Sequence, residues 1–216
     1  TVYVENVGLL LTAGAALLFS GQVVCWGGAD GQYGSRAVAA HLTDGVVRLT
    51  RCTTLGMIAI KKDRRVVTWE MGRRIYQGTM VAPPAVLDSG VLKIVDAFNA
   101  VAVHMENGRV ATWGINTYGG DSTAVADRLV DVVDVVARSF GFLALTRDGK
   151  VVTWGRGPYP AYTGPPESVL SGNYIKIFSN RLAFAALKGN GQLESWGHNG
   201  MTKVVDDVAS VVATSN

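Results

Sequence analysis

The side chains that most often do chemistry are few and scattered in this chain of 216 residues. Its three histidines, His41, His104 and His198, lack the close spacing of a hydrolytic zinc site, and none shares a strand face with a carboxylate. Comparable segments have leucine or isoleucine where His104 stands, which favours a buried core histidine. We therefore expect no metal, no cofactor and no enzymatic activity.

The two cysteines, Cys25 and Cys52, are too few for a disulfide scaffold or a four-ligand zinc site. Cys25 stands where comparable segments have threonine or serine, so we interpret it as a strand residue and not as an activated nucleophile. A Cys25–Cys52 bridge stays open, because the sequence alone does not give its geometry. The glycine pairs at 27–28 and 119–120 precede no helix start with Lys-Ser or Lys-Thr, which disfavours a phosphate-binding loop.

These residues must be positioned by a folded chain with many turns. Hydrophobic residues make up 48% and charged residues 17%, which excludes disorder, and 26 glycines predict tight turns. The apolar run at 7–19 is too short to span a membrane, so we expect no integral membrane segment. The run could form the core of a signal peptide, but it matches a strand of the repeat described next.

Five tryptophans divide the chain into repeats. They are separated by 43, 44, 41 and 42 residues, and they are Trp26, Trp69, Trp113, Trp154 and Trp196. Units of three or four antiparallel strands at this period are typical of a β-propeller. We predict an all-β fold: one domain over residues 1–216, a β-propeller of about five blades centred on these tryptophans. The final strand segment at 208–211 either completes the ring beside the first blade or belongs to a longer array of repeats.

A turn signal precedes each tryptophan. Asn or Asp followed by Gly stands six and five residues before it in three units, as in Asp148-Gly149. This pattern predicts two-residue type I′ hairpin turns, in which both residues have positive φ. Arg64 replaces the glycine in the second unit, so we expect either a longer loop or a strained residue there.

Two strands flank each turn. A third strand precedes this pair, and in the fourth unit it lies at 132–135. Their residues are mostly apolar without polar alternation, which indicates strands covered on both faces. The loop after the tryptophan has a recurring Ala-Val and Leu, as in Ala124-Val125 and Leu129, where a short outer strand or a turn of helix could lie.

The segment 147–155, Arg-Asp-Gly-Lys-Val-Val-Thr-Trp-Gly, resembles the repeat of the regulator of chromosome condensation family. Residues 31–34 are similar to that family's Gly-Gln-Leu-Gly loop, and residues 118–122 resemble a subgroup with Tyr-Gly-Gly-Asp-Ser after the tryptophan. The resemblance covers nearly the whole chain, with five signatures in place of the usual seven and a shorter period. It implies a propeller that binds partners. No loop matches a nucleotide-exchange element, so exchange activity on a small GTPase is not carried over.

In an up-and-down blade, the hairpin turns and the loops after the tryptophans lie on opposite faces. The turn face carries eight basic residues against three acidic ones, a net charge of +5 compared with +3 for the whole chain. This basic rim predicts binding to nucleic acid or chromatin, an anionic surface or an acidic protein, although basic turn residues also serve solubility. The basic rim consists of Lys61, Lys62, Arg64, Arg65, Arg109, Arg147, Lys150 and Lys188.

The opposite face, here called the loop face, carries irregular loops with aromatic and arginine side chains. Such side chains on a rigid scaffold are typical of binding surfaces, although unconstrained loops also drift to this composition. We predict a non-enzymatic module that recognises a macromolecule through these loops, with a protein as the favoured partner and an extracellular glycan as an alternative. The candidate residues are Arg73, Arg74, Tyr76, Tyr118, Tyr159 and Tyr162.

Overall fold

The computed structural model describes residues 4–10, 13–27, 35–52, 56–69, 80–81, 86–87, 90–155, 172–197 and 202–212. The chain forms two compact units, residues 1–78 with 82–91 and residues 79–81 with 92–216. The expectation of a single domain over residues 1–216 stays a prediction. In the described segments, no helix is long and apolar enough to cross a membrane.

The described residues form strands and short 3-10 helices. The strands are β1 (Val4–Leu10), β2 (Ala13–Leu18), β3 (Val23–Gly27), β4 (Val46–Cys52), β5 (Gly56–Lys61), β6 (Val66–Trp69), β7 (Met80–Val81), β8 (Val86–Leu87), β9 (Val91–Ala97), β10 (Ala100–Met105), β11 (Val110–Ile115), β12 (Val132–Arg138), β13 (Gly141–Thr146), β14 (Val151–Trp154), β15 (Tyr174–Ser179), β16 (Ala183–Lys188), β17 (Leu193–Gly197) and β18 (Thr202–Val205). The 3-10 helices are Ser35–His41, Asn116–Tyr118 and Thr123–Val125.

Five antiparallel sheets are built from these strands, one for each tryptophan. The first unit has the sheets β1-β2-β3 and β4-β5-β6-β8, and the second unit has β7-β11-β10-β9, β12-β13-β14 and β15-β16-β17-β18. In every sheet the third strand of the repeat carries the tryptophan. The prediction of an all-β chain with five repeated sheets is therefore confirmed.

The hairpin turns differ from the prediction. Thr146 donates its backbone N–H to Lys150 O (2.9 Å) and Gly149 donates its own to Thr146 O (3.0 Å), which encloses three residues. Equivalent bonds close the hairpins after β2, β5, β10 and β16. In this turn Gly149 has a positive φ of 78°, whereas the φ of Asp148 is not positive. The predicted two-residue type I′ turns are wrong, because a three-residue loop with one left-handed residue also satisfies the strand twist.

Arg64 lies in a turn of the same length as the others. Lys61 donates its N–H to Arg65 O at 2.9 Å, and Arg64 has φ of 62°. Of the two alternatives left by the sequence, the strained residue is the correct one.

Three of the hairpins also hold the next sheet of their unit. In each case the carbonyl of the turn residue with positive φ accepts a hydrogen bond from the backbone N–H of the residue that begins the first strand of the next sheet. Gly21 O accepts from Val46 at 3.0 Å, Gly108 O accepts from Val132 at 2.9 Å, and Gly149 O accepts from Tyr174 at 2.9 Å. One backbone hydrogen bond thus recurs at the same position of successive repeats.

Side chains from facing sheets form the core. In the first unit, Leu17 and Val23 pack with Met57 and Trp69, and in the second unit Leu143 packs with residues of the fifth sheet that include Trp196. Adjacent residues of one strand are both buried, so both strand faces are covered, as the absence of polar alternation predicts. After Trp26, Trp69, Trp113 and Trp196, the described parts of the loops contain either a 3-10 helix, such as Thr123–Val125, or a short outer strand, such as β8.

Candidate functional site

Three aromatic rings meet on the loop face of the second unit. The Tyr118 ring lies 5.3 Å from the Phe140 ring and 6.3 Å from the Phe98 ring, centroid to centroid, and the two phenylalanine rings are 6.1 Å apart. Phe98 is 54% exposed. We refer to Phe98, Tyr118 and Phe140 as the aromatic cluster.

Three different connections supply this cluster. Phe98 lies in the turn between β9 and β10, Phe140 lies in the turn between β12 and β13, and Tyr118 ends the 3-10 helix that follows β11. Because Ala100 at the start of β10 pairs with Gly114 near the end of β11, the turn before β10 and the loop after β11 lie at one end of the sheet. The up-and-down order of the strands therefore brings the rings together.

Backbone hydrogen bonds fix the turns that carry the phenylalanines. Phe98 donates its N–H to Ser139 O at 2.8 Å, and Ser139 donates its own N–H to Arg181 O at 3.1 Å. The Ser139 hydroxyl also donates to Arg181 O, at 2.9 Å. Three successive turns are thus tied together beneath the cluster.

The two glycines after Tyr118 allow a close approach between neighbouring sheets. Gly119 has φ of 98°, and its carbonyl accepts a hydrogen bond from Trp154 Nε1 at 3.0 Å. A Cβ on Gly119 would lie 2.7 Å from Phe142 Cδ2, and a Cβ on Gly120 would overlap Gly114 O. Only glycine fits at these positions, and the backbone they form holds Tyr118 in place.

The polar residues of this loop are engaged within it. Asp121 Oδ1 accepts hydrogen bonds from the Thr123 hydroxyl (2.7 Å) and the Thr123 N–H (2.9 Å), and these bonds lower the pKa of Asp121. The Thr112 hydroxyl donates to Ser122 Oγ at 2.9 Å. The Tyr-Gly-Gly-Asp-Ser segment is therefore a structural loop in which Tyr118 supplies the aromatic surface.

Of the loop-face candidates, Tyr118 lies in the described residues, and Arg73, Arg74, Tyr76, Tyr159 and Tyr162 lie outside them. Sequence reasoning missed Phe98 and Phe140. Both stand fourteen or fifteen residues before a tryptophan, in the turn between the first two strands of a repeat. A phenylalanine in a turn between two strands is unusual, and this was the sequence signal that could have identified both residues as candidates for a binding surface.

Four residues of the basic rim form ion pairs with described acidic residues. Lys61 pairs with Asp44 (3.5 Å), Arg65 with Asp63 (2.7 Å), Lys150 with Asp148 (2.7 Å), and Lys188 with Glu194. Lys62, Arg64, Arg109 and Arg147 are exposed. Because Asp44 and Glu194 lie outside the turns from which the rim charge was counted, the field at the rim is weaker than the sequence count of +5 implies.

Lys188 belongs to a polar cluster with Tyr174 and Glu194, both of which are buried. The Tyr174 hydroxyl donates to Glu194 Oε2 at 2.5 Å, and Lys188 Nζ donates to Glu194 Oε1. Burial raises the pKa of Tyr174, and its hydrogen bond to Glu194 raises that pKa further. Burial would also raise the pKa of Glu194, but the hydrogen bonds from Lys188 and Tyr174 outweigh it, so this pKa is lowered. The hydrogen bonds from Lys188 and Tyr174 thus stabilise the charged form of Glu194.

A groove of about 710 Å³ lies beside the hairpin of β13 and β14. Its charged lining is balanced, with three acidic and three basic side chains: Asp127, Asp131, Asp148, Arg128, Arg147 and Lys150. A balanced groove offers no net attraction to a polyanion.

The residues first considered for chemistry have structural surroundings. His104 is buried, with Nε2 2.8 Å from Val132 O, and His41 is exposed at a helix end, whereas His198 lies outside the described residues. Cys25 is a free thiol, so the Cys25–Cys52 bridge left open by the sequence is not formed. Burial raises the pKa of Cys25 more than its hydrogen bond with Ser35 lowers it, which opposes activation of the thiol. Across the described ranges, no group of three His, Cys, Asp or Glu residues could hold a metal ion.

Comparisons with known proteins show distant likenesses. No protein-family model matches the chain. Human and mouse E3 ubiquitin-protein ligase HERC2 are each 25% identical to it over 234 residues, which cover 85% of this chain and 5% of theirs. The chain therefore spans about 5% of the length of these relatives.

Solved structures with a similar fold have lower identity. Yeast RCC1 (Prp20), solved bound to Kap60, is 16% identical with a TM-score of 0.48, covering 90% of this chain and 56% of that one. Human WBSCR16 is 17% identical with a TM-score of 0.44, covering 92% and 63%. The CRINKLY WD40 ectodomain of the Arabidopsis thaliana receptor kinase ACR4 is 15% identical with a TM-score of 0.45, covering 94% and 68%. At these values the fold assignment rests on the sheets of the chain itself.

Five repeated antiparallel sheets, each carrying one tryptophan of the series, make this chain an all-β repeat protein of the β-propeller class. The 25% identical relatives, with the repeat itself, support an RCC1-like repeat family.

Proposed function

We propose that the chain is a non-enzymatic binding module that recognises a protein partner through its loop face, with the aromatic cluster at the centre of the contact. One observation carries the proposal. Three aromatic side chains from three connections meet on a face whose backbone is tied by hydrogen bonds, and Phe98 remains 54% exposed. Aromatic side chains are the most frequent energetic anchors of protein interfaces.

Rigidity strengthens this interpretation. The turn of Phe98 is bonded to Ser139, and Tyr118 precedes a glycine bonded to Trp154. A partner that covers these rings would therefore order little additional backbone, and the loss of conformational entropy on binding would be small. Burial of the exposed Phe98 surface would then add to the affinity.

The geometry favours a protein over a nucleic acid. The ring planes are inclined to one another by 44° to 73°, which gives no flat platform for stacked bases. The ion pairs of the basic rim reduce the attraction for a phosphate backbone.

A capture experiment with matched variants tests this function. The protein, the double variant Phe98→Ser with Tyr118→Ser, and the rim variant Arg109→Glu with Arg147→Glu are used to capture proteins from native lysate at low and high NaCl. We expect the aromatic variant to lose the specific partner at least about tenfold, as for an interface anchor, and the rim variant to keep it. Circular dichroism must show that both variants remain folded.

Two results would contradict the proposal. Equal recovery of the partner by the aromatic variant would remove the loop face from the contact. Loss of the partner only in the rim variant would assign binding to the turn face, with an acidic protein, chromatin or nucleic acid as the partner.

We also propose that the chain belongs to the subgroup marked by Tyr-Gly-Gly-Asp-Ser. Each residue of the segment 118–122 has a distinct contact. The Tyr118 ring lies in the aromatic cluster, and the two glycines fit where a Cβ would clash. Asp121 is hydrogen-bonded to Thr123, and Ser122 is hydrogen-bonded to Thr112. A motif used in this way tolerates few substitutions, as expected for the mark of a subgroup. An alignment of related chains in which the motif varies freely would contradict this assignment.

A further inference from the structure

An exposed cation lies on the turn next to the aromatic cluster. Arg181 and Leu182 form the turn between β15 and β16, Arg181 is exposed and Leu182 is 48% exposed. Within the part of the chain that the structure describes, Arg181 forms no ion pair. The turn adds both a positive charge and an aliphatic side chain to the loop face.

The position of this turn relative to the cluster is fixed. Arg181 O accepts hydrogen bonds from the N–H and the hydroxyl of Ser139, the residue that precedes Phe140. Asn180 Oδ1 accepts from the N–H groups of Leu182 (3.0 Å) and Ala183 (2.8 Å), which orders the turn itself. The backbone of Arg181 is thus held next to Ser139, the residue that precedes Phe140 of the aromatic cluster.

Among the described residues, the acidic side chains Asp96 and Asp121 do not pair with Arg181. Asp121 is bonded to Thr123, and Asp96 lies on β9, two sheets away from the turn of Arg181. A guanidinium beside apolar surface is well suited to a carboxylate, because it donates two parallel hydrogen bonds and is weakly hydrated. The charge that complements the described turn of Arg181 is negative.

We propose that the loop face binds a peptide segment of its partner that carries an apolar anchor for the aromatic cluster and a nearby carboxylate for Arg181. This inference rests on the proposed function and specifies the chemistry of its partner. The apolar anchor packs against Phe98 and Tyr118, and the carboxylate forms a charge-assisted pair with the guanidinium. Leu182 covers the apolar part of the segment between them.

Selection from a library of random linear peptides displayed on phage tests this chemistry. The library is panned on the protein and, separately, on Arg181→Glu. We expect peptides enriched on the protein to combine an aromatic, aliphatic or proline residue with Asp or Glu, and those enriched on Arg181→Glu to carry Lys or Arg in place of the acid. An enriched peptide should bind Arg181→Glu at least about tenfold more weakly, as for the loss of a charge-assisted pair.

The matched control is Arg147→Glu, the same change of charge on an exposed arginine of the hairpin turns. Its affinity for the selected peptide should stay within about twofold of the unchanged protein, because exposed charges more than a Debye length apart are largely screened. An equal loss in both variants would reveal a general effect of net charge and would overturn the role of Arg181.

The remaining outcomes separate the two proposals. Peptides without enriched acids, or an affinity unchanged by Arg181→Glu, would overturn the inference while leaving the aromatic site intact if the Phe98→Ser, Tyr118→Ser variant still loses binding. Selected peptides that bind this double variant as well as the unchanged protein would overturn the proposed function itself. Failure to enrich any peptide would overturn both.

Discussion

The indole N–H of Trp154 donates a hydrogen bond to the carbonyl oxygen of Gly119 at 3.0 Å. Trp154 belongs to the fourth sheet and Gly119 to the loop after the third, so the bond joins two consecutive repeats of the second unit. It satisfies a buried donor and anchors the loop that carries Tyr118. The tryptophan that marks the period in the sequence therefore also links one repeat to the next.

Replacing Trp154 with phenylalanine should destabilise the protein through this bond. The substitution removes the indole donor and leaves Gly119 O without it, in addition to the loss of packing volume. The control is Trp196→Phe, because Trp196 Nε1 is buried without a hydrogen-bond partner among the described residues. We expect Trp154→Phe to lower the free energy of unfolding by about 1–2 kcal/mol more than the control, measured by urea denaturation. Equal losses would show that the bond contributes nothing.

Gly119→Ala should be strongly destabilising. The added Cβ would lie 2.7 Å from Phe142 Cδ2, at a φ of 98° that L-residues rarely adopt. We expect a loss of at least about 2 kcal/mol, since steric overlap and backbone strain act together. In Gly189→Ala the nearest atom would be Ile175 Cγ2 at 3.7 Å, so that variant should change stability little. Similar thermal unfolding midpoints for the two variants would contradict this expectation.

Arg64→Gly should stabilise the first unit. Arg64 has φ of 62° in a turn where the other four hairpins have glycine. Removing the left-handed strain gains about 1–2 kcal/mol, and the greater backbone entropy of glycine in the unfolded chain offsets about half of it. The net gain should therefore be about 0.5–1 kcal/mol in chemical denaturation. The reverse change, Gly149→Ala, should destabilise, and a gain there would contradict the strain argument.

Glu194→Gln should reduce both stability and its dependence on pH. The pKa of Glu194 is lowered in the folded state, so the folded protein binds fewer protons than the unfolded chain in the acid range. The resulting stability is present above the ordinary pKa of glutamate and is lost as the pH falls through the lowered folded value. We expect Glu194→Gln to lose about 1–3 kcal/mol at neutral pH, because Lys188 loses its partner, and to show a shallower acid transition.

A triple variant separates charge pairing from packing at this cluster. Glu194→Val, Tyr174→Phe and Lys188→Met introduce apolar side chains like those at the same positions of other repeats, such as Val152 for Glu194 and Met105 for Lys188. It should be more stable than Glu194→Gln, because no charge is left without its partner, and its unfolding should lose the contribution of Glu194 to the acid transition. An unchanged acid transition would assign the pH dependence to other carboxylates.

The sequence allowed the repeats to be predicted because they depend on local, repeated signals. The tryptophan and the apolar strands occur in all five units and the glycine turn occurs in four of them, so an exception at a single position, such as Arg64, does not change the result. The turn type was mispredicted because Asp148-Gly149 suits two kinds of hairpin. A single positive φ at Gly149 distinguishes them, and it depends on how the strands pair.

The candidate site was only partly predictable. Tyr118 was identified from its irregular loop, but Phe98 and Phe140 stand in turns of two different repeats and no pattern in the sequence joins them. Likewise, the charge of the basic rim was counted from residues that are neighbours along the chain. In the structure, Asp44 pairs with Lys61 and Glu194 pairs with Lys188 from outside those turns. Proximity between distant residues is a property of the packed sheets.

By itself, the sequence determined that the chain is a series of five β-units with one tryptophan each, since strand, turn and period are encoded over short distances. The tertiary structure decided which side chains meet: that Gly119 accepts from Trp154, that three aromatic rings form one cluster, and that Arg181 stands beside it. The reason is that a binding surface combines residues from several repeats, and their separation in space follows from packing between sheets and not from spacing along the chain.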